Sequence, residues 1–231
     1  GTTYFNFIAS HDGIGLRPIE EILTEEEIDM LAKNIEGSGG KVSYRTKENS
    51  QRPYELNIAL FDALKLHVKD GDDGYQEARF ISAHTIMLSL EGIPAFYIHS
   101  LIATQNDYEK VKHSGQNRGI NRHQWQMQEL EQILLGENHH SRMFYELLRL
   151  IGIRKHQRAF HPNATQFTLD LGDRVLALWR QSLDRTQSIF SIHNISNQKI
   201  AMQLSDLNLI ETDNWVDLIS GTKLERSHGK L

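Results

Sequence analysis

Residues 2–18, TTYFNFIASHDGIGLRP, constrain the fold more than any other stretch of this chain. Tyr4, Asn6 and Ile8 alternate with Phe5, Phe7 and Ala9, which predicts a strand over Thr2–Ser10 with both faces covered. It ends in Ser10-His11-Asp12-Gly13. Residues just past the carboxyl ends of strands in α/β proteins face the ligand site, which makes His11 and Asp12 candidate functional residues. A plainer reading stands beside it: a strand-to-loop turn in which Asp12 accepts from nearby amides. A dinucleotide-binding turn is excluded, because Pro18 stands where the third glycine of Gly13-x-Gly15 would be needed.

The remaining chain reads as α/β followed by all-β. Thr24-Glu25-Glu26-Glu27 predicts a capping box, with acidic residues on the positive end of a helix that runs through Ile28, Leu31, Ala32 and Ile35 to Gly37. Gly37–Gly40 and Asn49–Pro53 read as loops. A long helix from Gly74 to about Glu91-Gly92 leads by a tight turn into a short buried strand, Ile93–Ile98, the αβ half of a βαβ unit. Ser100–His123 reads as loop-rich chain, and Asn138–His156 as a second long helix with one apolar face. After His161-Pro162, short alternating runs (165–170, 175–181, 188–195, 199–204 and 214–219) predict a small antiparallel β domain. The expected division is residues 1–160, with an insertion at about 16–73, and residues 161–231.

Composition narrows the function classes. A formal net charge of −5 over 231 residues gives no basic stripe for nucleic acid. The absence of cysteine removes disulfides and thiolate metal sites and fits a cytoplasmic setting. No run reaches the ~18 apolar residues of a membrane span, and no metal-ligand spacing occurs among the twelve histidines. Neither a metal nor another cofactor is expected.

Four stretches carry a family resemblance. FNFIASHDGIG at 5–15 is similar to the fourth conserved region of the α-amylase superfamily, glycoside hydrolase family 13, at the end of the seventh strand of its TIM (β/α)8 barrel. Tyr54-Glu55-Leu56-Asn57, Glu91–Tyr97 (EGIPAFY) and Asn117–His123 (NRGINRH) follow in the order found in the sucrose phosphorylase subgroup. Gly119 stands where Asp is usual. The resemblance covers essentially the whole chain, and its PYELN and ILTEEEID stretches lean toward the glucosylglycerate phosphorylase branch.

The resemblance implies the last part of a barrel, from strand 7, plus a C-terminal β domain. It implies a retaining enzyme that transfers glucosyl between a glucoside and phosphate, glucose 1-phosphate being the phosphorolysis product. Asp12 would be the transition-state-stabilising carboxylate and His11 its neighbour on the sugar hydroxyls. Arg118 would hold the far side of the glucosyl ring. Tyr54 and Glu55 would lie on the acceptor side, where Tyr-Gln is usual, with Arg17 the cation offsetting Glu55. The nucleophile and acid/base carboxylates of the family come from strands preceding this stretch, so the chain alone is expected to be inactive and, with unpaired strand edges, to self-associate. The alternatives are a hydrolase or transglucosylase of the same superfamily, such as an amylosucrase-like protein, and a non-catalytic carbohydrate-binding module.

Overall fold

A computed structural model describes residues 2–47, 50–67, 71–202, 207 and 215–223. The elements run β1 (Phe5–Asn6), β2 (Ile14–Gly15), α1 (Glu25–Gly37), β3 (Lys41–Lys47), β4 (Ser50–Asn57), α2 (Leu60–Ala63), β5 (Leu66–His67), β6 (Gly71–Asp72) and α3 (Gln76–Ser89). They continue as β7 (Ile93–Pro94), α4 (Ile98–Leu101), α5 (Tyr108–Ser114), α6 (Met127–Leu135), α7 (His139–Lys155), β8 (Thr165–Asp170), β9 (Val175–Gln181) and β10 (Ser188–Asn194). The fold is mixed α/β with antiparallel sheets, and its contacts divide it into two units.

The first unit comprises residues 7–84 and 95–148. Its sheet has the order β2-β4-β3, all antiparallel. Period-two alternation gives this sheet two unlike faces. Val42 and Leu56 pack with Ile28, Ala32 and Ile35 of α1 in one core, while Ser43, Glu55 and Asn57 lie on the alternate positions. α1 begins as its sequence requires: Thr24 Oγ1 accepts from Glu27 N at 3.3 Å and Glu27 Oε2 accepts from Thr24 N at 2.8 Å. A second core gathers Ala9, Leu60, Phe61, Phe80, Ala103, Met143 and Leu147, with Phe61 and Phe80 edge to face at 5.3 Å. Full burial of such a phenyl ring stabilises by roughly 2–3 kcal/mol.

Two expectations for this unit are corrected. Of the loop expected at Asn49–Pro53, Asn49 lies outside the described residues and the rest is strand. Ser50, Gln51, Arg52 and Pro53 of β4 pair with Lys47, Thr46, Arg45 and Tyr44 of β3. Pro53 is tolerated because the register shifts between Ser43 and Tyr44, and this bulge leaves Tyr54 as the extra residue. The 100–123 stretch is largely helical, with α4, α5 and a 3-10 turn at Asn117–Asn121. These elements are too short to show a hydrophobic period. Asp107 nonetheless caps α5 by accepting from Lys110 N at 2.8 Å, and Gly115 ends it in the left-handed region at φ +66°.

The second unit comprises residues 2–6, 85–94 and the chain from 149 onward. Its antiparallel sheet has the order β10-β9-β8, with ladders running from Thr165↔Gln181 and Ser188↔Gln181. Val175, Ala177, Met202 and Leu207 form its core. The strands fall at the expected positions to within a residue. Of the two later runs, 199–202 contains no strand and 203–204 lie outside the described residues, while Val216 makes only an isolated bridge to Lys223. Arg180 is wholly buried and donates to the carbonyls of Ser89 at 3.1 Å, His161 at 3.1 Å and Ala164 at 3.4 Å.

In the same unit, the expected strands Thr2–Ser10 and Ile93–Ile98 shrink to a two-residue parallel ladder, Phe5↔Ile93 and Asn6↔Pro94. Pro94 has no N–H with which to extend it. Nor are both faces covered: Tyr4 and Phe5 are 65% and 66% exposed. The turn before β7 is tight, since a Cβ on Gly92 (φ +103°) would meet Tyr4 O at 2.6 Å.

Candidate functional site

The candidate residues converge in the first unit on a turn that only glycine can make. Ser10 and Gly13 exchange two backbone hydrogen bonds of 3.0 Å, closing a tight turn with His11 and Asp12 at its tip. Gly13 has φ +114°, and a Cβ there would lie 2.1 Å from Leu56 O. The turn therefore sits directly against β4, the strand that carries Tyr54 and Glu55.

Three polar side chains fix this turn from outside. Asn57 Nδ2 donates to Asp12 O at 2.9 Å, Asn121 Nδ2 to Ser10 O at 2.7 Å, and Arg122 Nε to His11 O at 2.9 Å. Asn121 and Arg122 are themselves held, by Tyr97 Oη donating to Asn121 O at 2.6 Å and by Lys110 Nζ donating to Arg122 O.

The charges meet here in pairs. Asp12 Oδ1 receives Arg122 Nη2 at 2.8 Å and Arg118 Nη1 at 3.2 Å, and His11 Nε2 stands 3.3 Å away. Arg118 also grips Glu55 through both carboxylate oxygens, Nε to Oε1 at 2.9 Å and Nη2 to Oε2 at 2.7 Å. That hydrogen-bonded carboxylate raises Arg118 above the ordinary guanidinium range, so it stays charged. Glu55 is 6% exposed, while the Asp12 side chain is about one-third open to solvent. Two carboxylates and two guanidiniums thus form one compensated cluster, in which the open carboxylate is Asp12.

Of the residues singled out by sequence, His11, Asp12, Glu55 and Arg118 are brought together. Tyr54 is half-buried at the β4 bulge, and its carbonyl accepts from Leu16 N at 3.0 Å. Arg17 is exposed on the 3-10 turn Arg17–Ile19, and the cation on Glu55 is Arg118. Arg122, Asn57 and Asn121 were missed as site residues, although the quoted stretches NRGINRH and YELN contain them. Among the described residues no group of three or more His, Cys, Asp or Glu side chains is arranged to hold a metal ion.

No protein-family model matches the chain. A glucosylglycerate phosphorylase from Escherichia coli (strain K12) is 36% identical over 222 residues, 94% of this chain and 39% of that protein. Another, from Allomeiothermus silvanus, is 37% identical over 215 residues, 93% of this chain and 38% of that protein. The crystal structure of sucrose 6F-phosphate phosphorylase from Thermoanaerobacter thermosaccharolyticum matches with a TM-score of 0.61 at 21% identity, covering 85% of this chain and 39% of that one. This chain is sucrose phosphorylase-like. It spans about two fifths of the length of these relatives, 39% for the first of them.

Within Asn117–His123, the backbone at Gly119 runs close to α5. A Cβ at Gly119 would stand 3.0 Å from Ser114 Oγ, a side-chain end that can turn aside, and 3.4 Å from Lys110 O. The 3-10 turn lies close on α5, with Gly119, Ile120 and Asn121 buried, and this presents Arg118 and Arg122 to the Asp12 turn.

Proposed function

We propose that this chain is the C-terminal portion of a retaining glycoside phosphorylase that transfers glucosyl between a glucoside and phosphate. The single observation that carries the reading is Asp12. Its Oδ1 is fixed by arginines on one side, its carboxylate is partly open, and its backbone is locked by a glycine turn and by Asn57. A carboxylate held in this way stabilises a developing oxocarbenium ion without first having to reorganise. His11, exposed beside it, donates to sugar hydroxyls, and Arg118 closes the far side of the ring. The nucleophile and the acid/base carboxylate come from strands that precede this stretch in the family, so residues 1–231 alone do not turn over.

The reading extends to architecture. The parallel pairing of Phe5 with Ile93 supports β1 and β7 as the seventh and eighth strands of a (β/α)8 barrel, with the β2-β4-β3 sheet inserted between them and the β8–β10 sheet in a C-terminal domain. Two relatives that match over more than nine tenths of the chain, at 36% and 37% identity, are glucosylglycerate phosphorylases, and this supports glycerate as the acceptor. No helix among the described residues is long and apolar enough to cross a membrane, and we place the enzyme in the cytoplasm.

The test is phosphate release from glucose 1-phosphate with glycerate, fructose, glycerol or glucose as acceptor, run on the full-length protein and on residues 1–231. Release by the full-length protein alone, fastest with glycerate, is the expected result. Release by the 231-residue chain would remove the claim that it lacks the reacting carboxylates. No release by either would overturn the phosphorylase reading in favour of a hydrolase.

A further inference from the structure

Position 55 carries Glu where the sucrose phosphorylase pattern has Gln, and a bare carboxylate on the acceptor side would repel an anionic ligand. The hydrogen bonds around Glu55 indicate a different task. Its Oε1 accepts from Arg118 Nε at 2.9 Å and from Asn57 Nδ2 at 2.5 Å, and its Oε2 accepts from Arg118 Nη2 at 2.7 Å. Three N–H donors therefore converge on two oxygens, a set that a carboxylate satisfies. An amide at 55 would turn its own NH2 toward one of these donors.

The donors are not free to turn round. Asn57 is wholly buried, its Oδ1 accepts from Ser43 Oγ at 2.6 Å, and its Nδ2 donates to Asp12 O as well as to Glu55. Flipping the amide would set its oxygen against two acceptors, Asp12 O and Glu55 Oε1, so the network determines which way it faces. Ser43 and Glu55 are register partners on β3 and β4, and Asn57 lies two residues on, on the same face. Arg118 comes from the 3-10 turn packed against this hairpin, where Asn117 Nδ2 donates to Val42 O at 3.3 Å.

We propose that Glu55 is a positioning residue for Arg118, fixed in turn by the Ser43–Asn57 pair, and that it does not present a free carboxylate to the ligand. The proposal rests on the phosphorylase reading for its kinetic consequence but not for its structural one. Because Arg118 consumes both oxygens, position 55 does not repel an anionic acceptor. With its Nε and Nη2 committed to Glu55, Arg118 is left with Nη1 to lie on Asp12. The guanidinium is thereby set in one plane beside the carboxylate that does the stabilising.

The experiment is a double-mutant cycle of Glu55→Gln and Arg118→Gln in the full-length protein, read in three ways. In acceptor kinetics with glucose 1-phosphate, each single variant loses at least tenfold in kcat/KM, and the double variant loses no more than the worse single one. In thermal unfolding, the two substitutions are likewise non-additive. In 15N NMR, the slowly exchanging Arg118 Nε–H resonance disappears in Glu55→Gln. Retention of kcat/KM within twofold by Glu55→Gln, multiplicative losses, or an unchanged Nε–H resonance would each overturn the proposal. If the unmutated protein releases no phosphate with any acceptor, the phosphorylase reading fails, and the unfolding cycle and the resonance still decide whether Glu55 positions Arg118.

Discussion

Gly13→Ala should damage this protein far more than the same change two residues on at Gly15. Gly13 has φ +114°, and a Cβ there would stand 2.1 Å from Leu56 O and 3.2 Å from Asn57 Cα, both main-chain atoms that cannot rotate away. Gly15 has nothing within 4 Å and no positive φ. Holding alanine in such a conformation costs about 1–3 kcal/mol. Separating the turn from β4 to relieve the clash strains the hydrogen bonds that tie the two together: Asn57 to Asp12 O at 2.9 Å, Leu16 N to Tyr54 O at 3.0 Å and the Ile14↔Leu56 pairing beside them. Each is worth about 1 kcal/mol. Moving the turn away from β4 leaves the positive-φ strain in place, so the two costs add in part, to about 3–5 kcal/mol. For a protein of this size that lowers Tm by about 10 °C. Gly15→Ala should be neutral or stabilising by about 0.5 kcal/mol, because alanine restricts the unfolded chain. Circular dichroism melts of both variants decide the matter. A Gly13→Ala protein melting within about 2 °C of the parent, or a Gly15→Ala protein falling as far, would refute the claim that this turn rests on β4.

Other perturbations probe the rest of the molecule. His84 and His193 are buried, and burial pushes each imidazole down to about 4, so both are neutral in the native protein near pH 6. The unfolded chain takes up those protons near pH ~6.5, so the stability they contribute is complete above that pH and is lost as pH falls toward 4, at about 1.4 kcal/mol per pH unit for each group. Urea unfolding between pH 7 and pH 4.5 should show that slope, and His84→Gln should flatten it; an identical slope in the variant would remove His84 as a cause. Thr24→Ala deletes the α1 cap and should cost about 1 kcal/mol, read as a lower urea midpoint, and an unchanged midpoint would show that the capping box contributes nothing. Arg180→Met removes the guanidinium donor from the carbonyls of Ser89, His161 and Ala164, of which His161 O still accepts from Ala164 N at 2.9 Å, and should cost about 3 kcal/mol, whereas a gain in stability would mean that burying the guanidinium outweighed its hydrogen bonds.

Elements whose identity is set by local chemistry were legible in the sequence. The α1 start followed from Thr24 and Glu27, and β8, β9 and β10 from alternation between turn residues, because both signals lie within a few residues of the atoms they place. The β3–β4 hairpin was missed because Pro53 looks like a strand breaker. It is tolerated only through a bulge whose register is set by pairing with the partner strand, information that the local sequence does not hold. The opposite error occurred at Thr2–Ser10. Alternation there is strong, but a ladder needs a neighbour, and β7 supplies two residues before Pro94 ends it.

The site divides along the same physical line. The turn that presents Asp12 was legible because Ser10 to Gly13 is written in four consecutive residues. The counter-ion of Glu55 was not. Arg17 was the natural candidate because it shares the opening run with Asp12, yet it is exposed on its 3-10 turn, where water screens it. Arg118 instead meets a carboxylate that β2 and β3 flank on both sides of β4, and the pair is bidentate. A buried carboxylate selects its partner by geometry and desolvation, since leaving it unpaired costs about 3–5 kcal/mol while an exposed pair contributes about 1 kcal/mol or less. That preference acts only after the hairpin and the 3-10 turn have folded, which is why separation along the chain pointed to the wrong arginine.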